Sequence, residues 1–109
     1  MRIDVLGTTY QVETHQIAKD KTLKRYDWQG YCDDNSKLIV VADFSDTDYF
    51  DYNTEEERFR VRQETLRHEI VHAFLNESGL RSSSLGCSSW ATNEEMIDWI
   101  ARQFPKMLK

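Results

Sequence analysis

A chain of 109 residues, 39% apolar and 30% charged, is long enough for one modest core and short for two, so a single domain over 1–109 is expected. Nineteen acidic against fourteen basic residues leave a net charge of −5, the wrong balance for a nucleic-acid binder, whose affinity comes from neutralising phosphates. No run nears the roughly 18 apolar residues of a membrane span, and the opening Met1-Arg2-Ile3-Asp4-Val5-Leu6-Gly7 lacks the apolar core of a secretory signal. A cytoplasmic protein without membrane contacts is the expectation, with Cys32 and Cys87 as thiols rather than a bridge.

The first forty-odd residues read as β. Residues 2–6 alternate polar and apolar, Gly7-Thr8-Thr9 makes a turn, and 10–17 supplies a return strand. The lysine-rich stretch 18–25 reads as a loop or exposed turn. Gly30-Tyr31-Cys32 then leads through the turn cluster Asp33-Asp34-Asn35-Ser36 into the apolar run 37–42. The acidic, aromatic stretch 43–51 reads as a connecting loop, solvated rather than a cation site.

The second half changes period. Asn53 or Thr54 can cap a helix whose first turn holds Glu55, Glu56 and Glu57, and the pattern runs to Ser78 before Gly79 ends it. A serine-rich loop follows over 80–89. A last helix is expected from Trp90 or Thr92 to Phe104, limited by Pro105 and started by a capping box in which Glu95 reaches back to Thr92. Strands followed by helices make this α+β, a small antiparallel sheet packed on a long helix and a C-terminal helix.

The long helix contains Arg67-His68-Glu69-Ile70-Val71-His72, an H-E-x-x-H. Residues four apart differ by about 40° around a helix, so the imidazoles of His68 and His72 project from one face and can share a metal ion. Glu69, on the next row, can serve as general base, because zinc lowers the pKa of a bound water to about 7. Leu66, Ile70, Ala73 and Phe74, with Phe59, occupy the opposite arc, so a core face exists without the histidines. Two charged imidazoles side by side would repel, and one zinc per chain resolves that conflict.

A catalytic zinc takes three protein ligands and an open position. No histidine follows His72, which leaves a downstream carboxylate, Cys87 or the distant His15. On the last helix the apolar stripe is Trp90, Ile97, Ile100, Ala101, Phe104 and Leu108. Glu94 borders that stripe, Glu95 points away from it, and Trp99 lies on the outer side. Glu94 is therefore preferred as third ligand, ahead of Glu95 and Cys87. Asp98, four residues on, can accept the outer N–H of a ligating histidine.

His68-Glu69-x-x-His72 followed by Asn93-Glu94-x-x-x-Asp98 resembles the gluzincin arrangement of zinc peptidases. The small size, with strands before the motif helix, is more similar to minimal ImmA/IrrE-type and phage-encoded peptidase-like proteins. The resemblance is specific over 66–104 and loose before that. It implies a zincin-like fold, zinc on His68, His72 and Glu94, Glu69 as base, Asp98 orienting a histidine, and a peptide or protein substrate aligned on the edge of the strand 37–42. Such peptidases add a His or Tyr that stabilises the oxyanion. No motif identifies one here; Tyr31 leads the candidates, with His15 and Tyr26 behind it. The alternatives are a binding module in which zinc only reinforces a small core, and a metal-free helical scaffold.

Overall fold

The computed structural model describes residues 1–79 and 93–107. In chain order they form β1 (Arg2–Val5), β2 (Thr8–His15), a 3-10 turn (Ile17–Lys19), α1 (Lys21–Tyr26), β3 (Gly30–Asp33), β4 (Leu38–Ala42), α2 (Glu55–Glu77) and α3 (Glu94–Met107). The fold is α+β, as the order of signals implied.

The sheet runs β1-β2-β4-β3, and it is mixed rather than wholly antiparallel. β1 pairs antiparallel with β2 and β3 with β4, but β4 lies parallel to β2, with Val12 opposite Ile39. A parallel pair needs a crossover, and the chain between β2 and β4 supplies it through the 3-10 turn, α1 and β3. Ile39, Val40, Val41 and Ala42 are all fully buried, so both faces of this central strand are covered, which explains its unbroken apolar run. The expected peptide-aligning edge at 37–42 is therefore corrected: β4 has a neighbour on each side, and the edge strands are β1 and β3.

The lysine-rich stretch is also not a loop. Asp20 Oδ1 accepts from the N–H groups of Thr22 (2.9 Å) and Leu23 (3.0 Å), capping α1 and burying Leu23 completely. α1 ends at Asp27, whose φ of 55° is left-handed.

α2 starts as its sequence indicated: Thr54 Oγ1 accepts from the N–H of Glu57 at 3.1 Å, and three glutamates fill the first turn. Its buried residues are Leu66, Glu69, Ala73 and Leu75. Phe59 and Phe74, expected in the core arc, are 64% and 42% exposed. Twenty-three residues make a rod of about 34 Å, longer than strands of four to eight residues, so the sheet cannot cover the helix along its whole length.

The far end of α2 is clamped. Glu77 accepts from Thr8 Oγ1 (2.7 Å), Tyr10 OH (2.6 Å) and Lys37 Nζ (2.8 Å), and Lys37 also meets Asp34 Oδ1 at 2.8 Å. One carboxylate thus joins the helix that carries the histidines to β2 and to the β3–β4 turn.

α3 differs from expectation at both ends. Asn93 Oδ1 accepts the N–H of Met96 at 2.9 Å, so Asn93 caps the helix; Thr92, and with it the expected box to Glu95, lies outside the described residues. The helix also runs through Pro105 to Met107. Proline lacks the N–H that would reach the carbonyl of Ala101, and Arg67 Nε donates to that oxygen instead, at 3.3 Å. Ile97 and Ala101 are buried against α2, while Phe104, placed in the stripe by the sequence, is 51% exposed; Trp99 faces outward as expected. Trp90 and Leu108 lie outside the described residues. No described helix is long and apolar enough to cross a membrane.

Candidate metal centre

One turn apart on α2, the rings of His68 and His72 have centroids 5.0 Å apart, and each side chain is about four-fifths buried. Glu94, the first residue of α3, closes the gap between them. Its Oε2 lies 2.9 Å from His68 Nε2 and its Oε1 3.3 Å from His72 Nε2. Donors held about 2.0–2.1 Å from one tetrahedral zinc stand roughly 3.3 Å apart, so the observed separations fit that ion. These three residues offer donor atoms that all lie within 4.8 Å of one another, the one such group of three among the described residues. Two imidazoles and a carboxylate are also the donor chemistry zinc favours.

Neighbouring residues complete the surroundings. Asp98 Oδ1 stands 3.6 Å from His68 Nδ1, an ion-pair distance rather than a hydrogen bond, and its Oδ2 meets Arg102 Nε at 3.1 Å. The structure thus places Asp98 beside the outer nitrogen of one histidine. Glu95 is exposed and outside the cluster. His15 is held elsewhere, by Asp20 and Glu13. Cys87 lies outside the described residues.

Glu69 is 6% exposed, lines the same cleft, and has no hydrogen-bond or ion-pair partner among the described residues. Burial, with a smaller contribution from the Glu94 carboxylate, pushes its carboxyl up to about 8. Its position depends on Gly30 of β3. A Cβ there would stand 2.9 Å from Thr65 Cγ2 and from the Val40 carbonyl oxygen, and 3.5 Å from Glu69 Cγ. Only a glycine lets the helix lie this close to the edge strand.

The cleft encloses about 870 Å³, within the range of ligand pockets. β3 supplies Gly30, Tyr31 and Cys32 to one wall, α2 and α3 the other, with Trp28 and Tyr52 at one end. Asn76, one turn beyond His72, donates to Cys32 Sγ at 3.9 Å, and its buried Oδ1 has no partner among the described residues.

Of the oxyanion candidates, Tyr31 alone lines the cleft. Its hydroxyl donates to Asp20 Oδ2 at 2.8 Å; burial, then this bond, raises its pKa, so it stays protonated. Tyr26 is exposed and stacked on Trp28 with centroids 4.6 Å apart. Asp20 is a hub: burial pushes its carboxyl up, but bonds from His15, Leu23 N–H, Tyr31 and Thr22 N–H outweigh that and hold it below the usual range. Its pairing with His15 raises the imidazole pKa in turn.

Sequence reasoning missed Asp20, Gly30, Arg67 and the Glu77 clamp. Asp20 before Lys21-Thr22-Leu23 carried a readable capping signal; the others depend on long-range contacts with no local trace. No family model, no curated protein and no solved structure matches the chain.

Proposed function

We propose that this chain is a zinc-dependent peptidase in which His68, His72 and Glu94 hold the ion and Glu69 is the general base. The observation that carries this reading is the convergence of two imidazoles and a carboxylate within 4.8 Å beside a buried glutamate that has no partner among the described residues. A structural zinc site has no use for such a base, and closed sites of that kind take four protein ligands, mostly cysteine.

Bound zinc would supply Lewis acidity at the scissile carbonyl and to water. An extended peptide would add to the open side of β3, its main chain hydrogen-bonded to Gly30–Asp33. Glu69 takes the proton of the attacking water as oxygen adds to the carbonyl carbon, then delivers it to the departing nitrogen. One water is consumed, one C–N bond breaks, and an acid and an amine leave. Burial and the Glu94 carboxylate favour protonated Glu69, and the charge of a bound zinc would favour the ionised form that accepts the water proton. Asp98 would steady His68 through its outer nitrogen.

The second reading is a binding module that keeps zinc without hydrolysis. It is favoured by the engagement of Tyr31 with Asp20, which leaves no uncommitted oxyanion donor among the candidates that line the cleft.

Metal content of chelator-free protein by plasma mass spectrometry, with His68→Ala alongside, is the first test. Near one zinc per chain, lost in the variant, is the expected result; no metal even after reconstitution would remove both zinc readings. Peptide-library cleavage by the zinc-loaded chain and by Glu69→Gln then separates them. Cleavage lost in Glu69→Gln with zinc retained supports the peptidase, and full activity in that variant would remove the proposed base.

A further inference from the structure

A second cavity, of about 430 Å³, shares Asp27, Trp28, Gln29 and Tyr52 with the metal cleft, so the two adjoin. Its far wall adds Tyr49, Phe50 and Asp51. The aromatic wall is preformed: Phe50 stacks on Tyr52 at 22°, and Phe44, buried beneath, meets both rings. Trp28 and Tyr49, by contrast, leave 45% and 42% of their surface open.

Charge decides what fits there. Asp27 and Asp51 line the cavity, and neither carboxylate has a hydrogen-bond or ion-pair partner among the described residues. No cationic side chain among the described residues lines it. Two arginines stand at its border without pairing either carboxylate: Arg58 donates to the carbonyl of Tyr52 at 3.0 Å, and Arg25 lies over the Tyr26 ring that stacks on Trp28. Aromatic faces beside unneutralised carboxylates suit a cation on an apolar stem: a guanidinium stacks on the rings and donates to a carboxylate, and a lysine lays its methylenes on the same surface. A neutral apolar side chain would gain the rings and leave the carboxylates unanswered; an acidic one would be repelled.

We propose that this cavity is a side-chain subsite of the metal cleft and that it selects a basic residue, arginine before lysine, in a peptide bound along β3. The peptide, though not the preference for a cation, rests on the peptidase reading.

Arginine and citrulline have the same shape and differ in charge, so they isolate the effect. The probes are acetyl-Ala-Ala-Arg-Ala-Ala amide and its citrulline counterpart, titrated into zinc-loaded Glu69→Gln protein while the Trp28 indole N–H resonance is followed by NMR. The arginine peptide is expected to bind about ten-fold tighter and to shift that resonance. In Asp27→Asn/Asp51→Asn the preference is expected to shrink to about two-fold or less. Asparagine tolerates the left-handed φ of 55° at position 27, so the substitution keeps the backbone. Equal affinities, absent binding, or a preference that survives the double substitution would overturn the subsite. Cleavage by the wild-type chain is scored separately. Arginine-selective binding without cleavage supports the subsite and removes the peptidase; cleavage without arginine selectivity does the reverse.

Discussion

Arg67 donates its Nε–H to the main-chain carbonyl of Ala101, the acceptor that the proline at position 105 leaves without its helical partner. A residue beside the first histidine of α2 thereby allows α3 to continue and holds it against the motif helix. Since α3 opens with Glu94, the same bond helps to set where that carboxylate stands.

Removing the donor should therefore cost stability. Arg67→Met is expected to lose about 1 kcal/mol, a fall in Tm of roughly 4–8 °C for a domain of this size. Pro105→Ala restores an N–H that can reach Ala101, so Arg67→Met should cost distinctly less in that background. Thermal melts of the four proteins in this cycle read the coupling directly. Equal costs in both backgrounds would show that Arg67 stabilises by packing rather than by answering the proline.

The histidines were legible in the sequence because the geometry of i and i+4 on a helix is local. The caps at Thr54 and Gly79 were legible for the same reason. Glu94 could be preferred over Glu95 because the apolar stripe through Ile97 and Ala101 orients α3 on its partner. What lay hidden was set at a distance. The parallel pairing of β2 with β4 follows from the crossover through α1, which its lysines disguised as a loop. The passage of α3 through Pro105 depends on an arginine 34 residues before the carbonyl it serves, and the Glu77 clamp joins side chains 69 and 67 residues apart. The aromatic wall at Trp28 and Tyr52 likewise comes from segments separate in sequence.

Gly30 makes a sharp steric test. In Gly30→Ala the new methyl meets Thr65 Cγ2 and the Val40 carbonyl oxygen, both at 2.9 Å. Overpacking of this kind costs about 1–3 kcal/mol. A threonine methyl can be removed but a strand carbonyl cannot, so Thr65→Ser should recover part of the loss and not all of it. Urea unfolding of the single and double variants checks this; an unchanged midpoint in Gly30→Ala would mean that the helix and edge strand separate at little cost.

Adjacent glutamates at the start of α3 should behave differently toward metal. Glu94→Ala removes a donor from the cluster and is expected to weaken zinc binding by about a hundred-fold or more, whereas Glu95→Ala should leave it within about two-fold. Competition with a chromogenic chelator measures both. Comparable losses in the two variants would point to a general effect of negative charge rather than ligation by Glu94. Because ligand binding stabilises only the state that binds, zinc at a thousand times Kd should add about 4 kcal/mol to the wild-type chain, and His72→Ala should gain far less.

The clamp at Glu77 makes acid stability a readout of the fold. Hydrogen bonds from Lys37, Tyr10 and Thr8 hold the Glu77 carboxyl down to about 2, against an ordinary value of 4.5. The folded state therefore prefers the ionised form. Its stabilisation is complete above the ordinary carboxylate range and is lost as pH falls from about 4.5 through 2. Glu77→Gln cannot ionise, so it should be less stable than the wild type at pH 7, and the gap should close over that acid window. Denaturant midpoints for both proteins at pH 7, 4.5, 3 and 2 test the sign as well as the size. A gap that stayed constant down to pH 2 would assign the loss to disturbed packing of the helix end, with the charge of Glu77 playing no part.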